Sequence, residues 1–526
     1  MESLRLFSFP TSRLFPYPSL SPFPSQPSPT SFQPPPSPIP RLSTRLHVST
    51  SPSSTTTTTS PNPASTSETF DWFSHWYPLA PICDLDKRAP KAKTVLGLDV
   101  VIWWDRVEGA WKVFDDKCPH RLAPLSEGRV DPQGRLQCVY HGWCFDGAGA
   151  CKYIPQAPSL GPPVHKNEKA CVAVYPCVEQ NKLLWFWPNT DSRYKDILNE
   201  KTPPYIPELD DPSFTSTMGT RDLLYGYEVL TENLMDPAHV PYAHHGLMNV
   251  RKLETDREGG APLEITIEKL DINGFHAKQE AGWSKFVPPC LFYGSASKNF
   301  SVTSPNLKEE ALTKTTDKEQ RFVLIFLCVP VSPGKSRLIY SFPRNFAVWL
   351  DKIIPRWYFH IVQNLILDSD LYLLHLEERK LASAGFSNWH KACYVPTKSD
   401  AMVIAFRSWF RKYSNNQVNW GSMNPAPQLL PPTPPKEQLL DRYWSHVVQC
   451  TSCSGALKTL KAIEVSLQVV SVAIIGFFAV AKQSIASNIA KTTVISVAVL
   501  CFATSRWLSH FIQKTFYFHD YNHAFK

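Results

Sequence analysis

The sequence predicts an α+β fold in three parts: an N-terminal antiparallel β domain, a mixed α/β domain and a C-terminal transmembrane helical hairpin. Three observations carry that prediction. Short apolar runs broken by Gly turns fill residues 70–187, strand-like runs alternate with one long helical stretch over 191–423, and two charge-free apolar stretches follow position 461.

The start of the chain differs in kind. Between Ser3 and Ser67 there is no Asp or Glu, while Arg5, Arg13, Arg41 and Arg45 and fifteen of the 48 prolines fall there, with runs such as SSTTTTTS. A basic, acid-free, Ser/Thr-rich leader reads as a plastid transit peptide over residues 1–67, too poor in apolar density to fold. A secretory signal would need a continuous apolar core, which the prolines between Phe9 and Pro40 interrupt. Much of the formal net charge of +8 lies in this leader and in the C-terminal tail. No basic stripe interleaved with aromatics occurs, so nucleic-acid binding is not indicated. The 13 cysteines are scattered singly, unlike those of a secreted disulfide scaffold, which fits a reducing stroma.

The first folded domain is predicted over 68–190. Val100–Trp104 and Trp111–Phe114 flank Glu108-Gly109, Leu136–Tyr140 and Trp143–Phe145 precede Asp146-Gly147, and Leu183–Trp187 reads as a closing strand. These are antiparallel hairpin signals. At the tips lie Cys118 and His120 in CPHRLAPL, and Cys138 and His141 in CVYHGWCF. Two hooks of one Cys and one His each offer two thiolates to one iron and two imidazoles to the other. That is the ligand set of a Rieske-type [2Fe–2S] cluster, whose imidazoles raise its potential above that of an all-Cys cluster. The competing reading is structural zinc. Zinc modules pair Cys with Cys and His with His, whereas here the pairs are C-x-H and C-x2-H, with seventeen residues between His120 and Cys138.

The second domain is predicted over 191–423, with a helical segment at Glu228–Met248, strands at Phe322–Val329 and Ser336–Phe342, and a long helix at about Pro355–Leu381. Within it, ENLMDPAHVPYAHHGLM holds Asn233, Asp236, His239 and His244. Mononuclear Fe(II) that activates O2 is bound by two His and one carboxylate on one face, with other positions open. Residues five apart on a regular helix point about 140° away from each other, so His239 and His244 converge only where the helix is interrupted, which Pro241 permits. For the carboxylate, LILDSDLYLLHLEER offers Asp368 and Asp370. The helical neighbours of Asp370 are Ile366, Leu367, Leu373 and Leu374, whereas Asp368 has the polar Asn364 beside it. A carboxylate on an apolar face is costly unless paired or metal-bound, which makes Asp370 the expected ligand. Each residue alone could instead be an ordinary core group satisfied locally. The cluster signal upstream favours the metal.

Asn424–Pro435 (NPAPQLLPPTPP) predicts a stiff linker at the head of a segment, 424–460, that also contains Cys450 and Cys453 in C-x2-C spacing. Thiols between a linker and a hairpin are expected to be accessible and outside the catalytic core. They form a candidate redox-regulatory pair with thioredoxin as partner, structural use of two lone Cys being the alternative. In 461–526, Val465–Ala481 is seventeen charge-free residues, about 26 Å of helix against roughly 30 Å of hydrocarbon. Thr492–Ser505 is shorter and spans only by borrowing Ile485–Ala490 or snorkelling Lys491 and Arg506. Two interfacial helices are the competing reading.

The pair C-x-H and C-x2-H followed by N-x2-D-x2-H-x4-H resembles the Rieske non-haem iron oxygenases over nearly all of residues 70–460. The plant branch, with pheophorbide a oxygenase, chlorophyllide a oxygenase and a component of the inner-envelope translocon, adds a transit peptide, a membrane hairpin and C-x2-C. This chain has all three, and DWFSHWYPLAPICDLDKR, IPQAP and DRYWSHVVQCTSC also look like that branch. The resemblance implies a helix-grip-like second domain, with Cys118, His120, Cys138 and His141 as cluster ligands and His239, His244 and Asp370 as iron ligands. It implies a homotrimer in which Asp236 links the cluster His of a neighbouring subunit to the iron-site His. Asn233 would lie near the iron, although its spacing to His239 is one residue shorter than in some bacterial relatives, and His245 beside His244 leaves the register open. The implied activity is monooxygenation of a chlorophyll-type tetrapyrrole by O2 with ferredoxin electrons: protochlorophyllide a foremost, C7 methyl to formyl, with pheophorbide a as alternative. A non-catalytic redox-sensing role within the plastid import machinery is the rival. The implied location is the inner envelope, or the thylakoid, with the catalytic domains facing the stroma.

Overall fold

Alternating apolar and polar residues between tight turns give the first hundred or so described residues their form. The computed structural model describes residues 68–248, 262–279, 282–297, 320–421, 430–480 and 488–523; the leader 1–67 and linker residues 424–429 lie outside them. Lys91–Val95, Leu98–Asp105 and Ala110–Asp115 form an antiparallel meander that Val174–Tyr175 extends. Its first turn, Leu96-Gly97, has both residues at positive φ (53° and 74°), the two-residue hairpin geometry that matches strand twist. Period-2 alternation divides this sheet between two cores. Val100, Ile102, Trp111 and Val113 enter the large core, while Val101, Trp103 and Phe114 enter a smaller one that contains Cys118 and Cys138.

A second small sheet, Arg129–Val130, Leu136–Gln137, Cys144–Phe145 and Cys151–Tyr153, carries one hook. The predicted runs Leu136–Tyr140 and Trp143–Phe145 pair over two residues each, because the hook uses 138–143. Tyr77–Pro81 and Cys177–Gln180 flank Leu183–Phe186 in a third sheet.

Beyond it a seven-stranded antiparallel sheet runs in the order Met218–Leu223, Lys335–Ser341, Arg321–Ser332, Leu291–Ser297, Gly282–Val287, Gly274–Gln279 and Ile265–Asp271. The helix Ala401–Ser414 lays Phe406 and Trp409 on Phe286, and Phe410 near Tyr227. Gly219 faces Tyr340 across the ladder, and a Cβ there would lie 2.3 Å from its ring. The long helix runs Arg356–Ala384. This antiparallel sheet with helices held against it is the mixed α/β, helix-grip-like layout expected.

The predicted helix Glu228–Met248 is broken into Tyr227–Leu234 and Val240–Ala243. Pro237 offers no amide, and the Asp236 carboxylate takes the Ala238 N–H at 2.8 Å, turning the chain between the pieces. The described end of the linker lies against the long helix, where Arg379 donates to the Pro431 carbonyl at 2.8 Å and His375 Nε2 lies 3.2 Å from Thr433 Oγ1.

The C-terminal helices Thr451–Val480 and Asn488–Ile512 are longer than the charge-free stretches, and both are long and apolar enough to cross a membrane. They pack as a hairpin in which Ser471 Oγ donates to Ala498 O at 2.8 Å. The hairpin's base forms its own core from Cys450, Cys453, Leu457, Leu508, Ile512 and Phe516. From there the chain returns to the catalytic domain: Arg442 N donates to Tyr517 O at 2.8 Å, and Phe518 bridges Asp441.

Candidate metal centres

The two hooks share one backbone pattern. Cys118 N donates to Ala123 O (2.9 Å) and Leu122 N to Cys118 O (2.8 Å); in the other hook Cys138 N donates to Trp143 O (2.9 Å) and Gly142 N to Cys138 O (3.0 Å). Each turn closes on a left-handed residue, Leu122 at φ 59° and Gly142 at φ 73°. For Leu that conformation costs roughly 1–2 kcal/mol, so the fold around the hook has to hold it.

Both hook thiols are buried, and burial, with Cys138 beside it, pushes Cys118 up to about 12. Burial thus disfavours the Cys118 thiolate, and a bound metal would supply the positive charge that offsets this. The His120 and His141 rings lie 4.4 Å apart, and Trp143 stacks on His120 at 4.7 Å. His120 Nδ1 is buried without a hydrogen-bond partner among the described residues. An orphaned imidazole nitrogen beside two buried thiols fits ligation by a Rieske cluster. On the hooks themselves, Leu122, Val139 and Tyr140 expose apolar surface.

His239, His244 and Asp370 come together in the second domain, each placing one ligand atom within 4.8 Å of the others. His239 Nε2 and His244 Nε2 are 3.2 Å apart, and Asp370 Oδ2 is 3.9 Å and 3.4 Å from them. The convergence has a different cause from the one expected. Pro241 sits in the first turn of Val240–Ala243, where proline is tolerated; His239 is the residue before that turn, and His244 leaves it at φ −104°, ψ 27°. One short turn with a His at each end swings both rings to one side. The register is fixed by His244, which is buried, whereas His245 is only partly so.

Burial raises the Asp370 carboxyl to about 7, with His239 and the hydrogen bond from Asn233 pulling the other way. Burial, with His239 nearby, lowers His244 to about 4, while Asp236 and Asp370 raise His239 against the effect of its burial. Two imidazoles and a carboxylate too buried to carry its charge unaided fit a bound cation. Asn233 Nδ2 lies 3.4 Å from His239 Nε2, and Asp236 Oδ2 3.5 Å from His239 Nδ1.

Asp368 has another partner set. Its Oδ1 is 2.5 Å from Arg221 Nη2, and its Oδ2 2.8 Å and 2.5 Å from Arg442 Nε and Nη2, all three residues being buried. Ser369, between the two acids, was missed by sequence reasoning. Its Oγ is 2.7 Å from His244 Nδ1 and donates to Ile366 O at 2.6 Å. Because that hydroxyl proton is committed to a carbonyl, His244 Nδ1 carries the proton and Nε2 is left with its lone pair toward Asp370. A serine inside LDSD carries no sequence signal for this role. The C-terminal tail also reaches the site, where Tyr521 comes up to Ser369.

Cys450 and Cys453 are not accessible: each is 2% exposed. The expectation of free thiols rested on a tethering linker, but the segment is docked. Gln449 donates to Asp222 at 2.8 Å and accepts from Lys91 through its carbonyl at 3.0 Å. The two thiols pack with His360 and His446.

Comparison with known proteins gives two matching family models, the Rieske [2Fe-2S] domain over residues 75–176 and pheophorbide a oxygenase over 286–388. The chloroplastic protochlorophyllide-dependent translocon component 52 of Arabidopsis thaliana is 56% identical over 484 residues, 87% of this chain and 86% of that protein. Chloroplastic flavonoid 8-hydroxylase 2 of Ocimum basilicum is 55% identical over 474 residues, 88% of each chain. Chloroplastic pheophorbide a oxygenase of Oryza sativa subsp. japonica is 36% identical over 486 residues, 88% of this chain and 86% of that protein. Dicamba monooxygenase bound to 3,6 dichlorosalicylic acid superposes with a TM-score of 0.50, 21% identity, and coverage of 64% of this chain and 96% of that one, a likeness of fold alone. The protein is therefore an oxidoreductase of the Rieske non-haem iron monooxygenase class, whose cofactors are a [2Fe–2S] cluster and a mononuclear iron. The chain belongs to the family of pheophorbide a oxygenase and its chloroplastic relatives.

Proposed function

We propose that this chloroplast protein uses ferredoxin electrons and O2 to hydroxylate a flat, largely apolar polycyclic substrate, with a chlorophyll-type tetrapyrrole as the first choice and protochlorophyllide a its first member. The observation that carries the reading is the convergence of His239 with the buried His244 and Asp370, a set that a purely structural or sensing subunit does not require. Cys118, His120, Cys138 and His141 would hold the cluster, and His239, His244 and Asp370 the iron. When bound, these groups supply electrons one at a time and activate O2. Ser369 sets the His244 tautomer, and Asn233 donates to Asp370 and orients it. Asp236, at the His239 ring, is placed to relay an electron from a neighbouring subunit's cluster. The exposed apolar rim of Leu122, Val139 and Tyr140 around the hooks supports a subunit contact there, in a homotrimer. Each hydroxylation consumes one O2, two electrons and two protons and releases one water. Methyl to formyl takes two such rounds and the loss of a further water.

A second reading has its own support, since the flavonoid hydroxylase is as similar as the translocon component. One hydroxylation of a flavonoid ring needs a single round. The test is single turnover: the iron-loaded protein, reduced anaerobically, is given protochlorophyllide a, pheophorbide a or a flavone, then 18O2, and the products are weighed by mass spectrometry. Label in the C7 substituent of protochlorophyllide a is the expected result. Label only in the flavone moves the assignment to flavonoids, and label only in an opened pheophorbide ring moves it to chlorophyll breakdown. No label anywhere, with import components co-purifying, replaces the enzyme by a translocon subunit.

A further inference from the structure

At the base of the hairpin, side chains from two distant parts of the chain turn inward on one another. His360 comes from the long helix, His446 and Cys450 from the docked segment, and Cys453 from the first turn of Thr451–Val480. One donor atom from each lies within 4.8 Å of all the others, and none of the four residues is more than 2% exposed. His446 Nε2 is 3.2 Å and His360 Nδ1 3.3 Å from Cys453 Sγ, while Cys450 Sγ is 3.5 Å from His360 Nδ1. Zn–S bonds of about 2.3 Å and Zn–N bonds of about 2.0–2.1 Å at tetrahedral angles put sulfur and nitrogen about 3.5–3.6 Å apart. These three sulfur–nitrogen distances already stand within a few tenths of an ångström of that spacing.

The outer nitrogens settle the protonation. His360 Nε2 is 3.0 Å from Met218 O and His446 Nδ1 2.6 Å from Thr220 O, alternate carbonyls of one strand. A carbonyl only accepts, so each outer nitrogen carries the proton and each inner nitrogen of the neutral ring turns its lone pair on the thiols. Cys453 N also donates to Cys450 Sγ at 3.5 Å, holding that sulfur as an acceptor.

We propose that His360, His446, Cys450 and Cys453 bind one zinc ion in a closed structural site. A second two-iron cluster does not fit, because it needs thiols at one end and imidazoles at the other, and here Cys453 touches both rings. Two sulfurs and two nitrogens in a tetrahedron select zinc and leave no position for water or substrate. The ion would fasten the hairpin's first turn to the strand Met218–Leu223 and to the helix that carries Asp368 and Asp370. Binding displaces the thiol protons and involves no redox change.

The full-length protein, produced with iron and zinc supplied and purified in detergent, is analysed for metals and by zinc-edge X-ray absorption. The expected result is about one zinc per chain, in a shell of two sulfurs and two nitrogens. Cys453→Ala and His446→Gln should lower that zinc more than about tenfold with the iron per chain unchanged. Where those variants do not fold, Co2+ in place of zinc in the wild-type chain decides: tetrahedral ligand-field bands with thiolate charge transfer support the site, and their absence overturns it. Zinc below about a tenth per chain, with the two cysteines recovered as a disulfide or as freely alkylated thiols, overturns it as well. So does a zinc shell of nitrogen and oxygen only, while iron in a shell of two sulfurs and two nitrogens at these residues overturns the choice of zinc.

Discussion

Exchanging Asp368 for Asn should break the fold where exchanging Asp370 should only empty the iron site. Asp368 meets Arg221 through one oxygen and Arg442 through the other, and the three side chains are at most 1% exposed. Removing its charge leaves two guanidiniums buried without a counter-charge. Breaking one buried pair costs about 3–5 kcal/mol, and a carboxylate shared by two cations belongs at the upper end, about 5 kcal/mol. Against a typical stability of about 5–15 kcal/mol that is a third or more of the total, a few thousand-fold in the unfolding equilibrium. Among the described residues Asp370 has no guanidinium partner and faces His239, His244 and Asn233. Asp370→Asn should therefore unfold in urea at or above the midpoint of metal-free wild type, yet retain less than about a tenth of the mononuclear iron. The assay is tryptophan fluorescence against urea in detergent, with iron measured on the same samples. Asp368→Leu combined with Arg221→Met and Arg442→Met should restore most of the lost midpoint, because an apolar replacement of a buried triad leaves no charge stranded. If Asp368→Asn unfolds like wild type and loses iron, the assignment of the two acids is the wrong way round.

Four further outcomes are expected. Ser369→Ala frees the His244 tautomer and should weaken iron binding about 10–100-fold in a competitive chelator titration with the cluster spectrum intact; an unchanged affinity would leave Ser369 with packing alone. His141→Cys should convert the reduced cluster's EPR signal from the Rieske to the ferredoxin pattern and lower its potential, and a wild-type signal in this variant would show that His141 is not a ligand. Burial, with Glu228 nearby, raises Glu378 from the ordinary 4.5 to about 8, while its Oε1 accepts from Gly226 N at 2.8 Å. The folded chain thus keeps a proton that the unfolded chain releases, and stability falls as pH climbs between these values. Glu378→Gln keeps the Gly226 bond and removes the fall, so its melting advantage should be absent near pH 4 and full near pH 9, and an equal difference at both would refute the cause. Asp236→Asn should keep both metals yet slow electron transfer to the mononuclear site in stopped-flow reduction, because the link to His239 loses its charge; an unchanged rate removes Asp236 from the path.

What the sequence reveals of this protein is its local chemistry. The hooks can be read because ligands and turn residues lie within six positions of each other, and Asp370 stands out because its neighbours three and four away are all apolar. The choice against Asp368 could be made that way, but its reason could not: Arg442 lies 74 residues downstream on a segment that looks like a tether. The burial of the thiol pair was illegible for the same reason, since His360 stands 90 residues before Cys450 and only the fold brings it there. Pro241 misled in the opposite way. A proline in a helical stretch suggests a break, yet here it opens a turn, and the break belongs to Asp236-Pro237 just before it.

The hairpin leaves the catalytic domain at Cys450 and returns to it at Gln513, and both crossings are fastened. Lys461 Nζ donates to the Tyr517 hydroxyl at 2.6 Å, and Arg442 donates to the carbonyls of Lys514 and Thr515 at 3.0 Å and 3.1 Å. A domain hung on one flexible stalk would tumble over its membrane and present every face to the lipid in turn. Seized at entry and exit together, this one keeps a single heading. With both helices in a bilayer, the domain would turn one fixed face to the lipid and leave the rest to water.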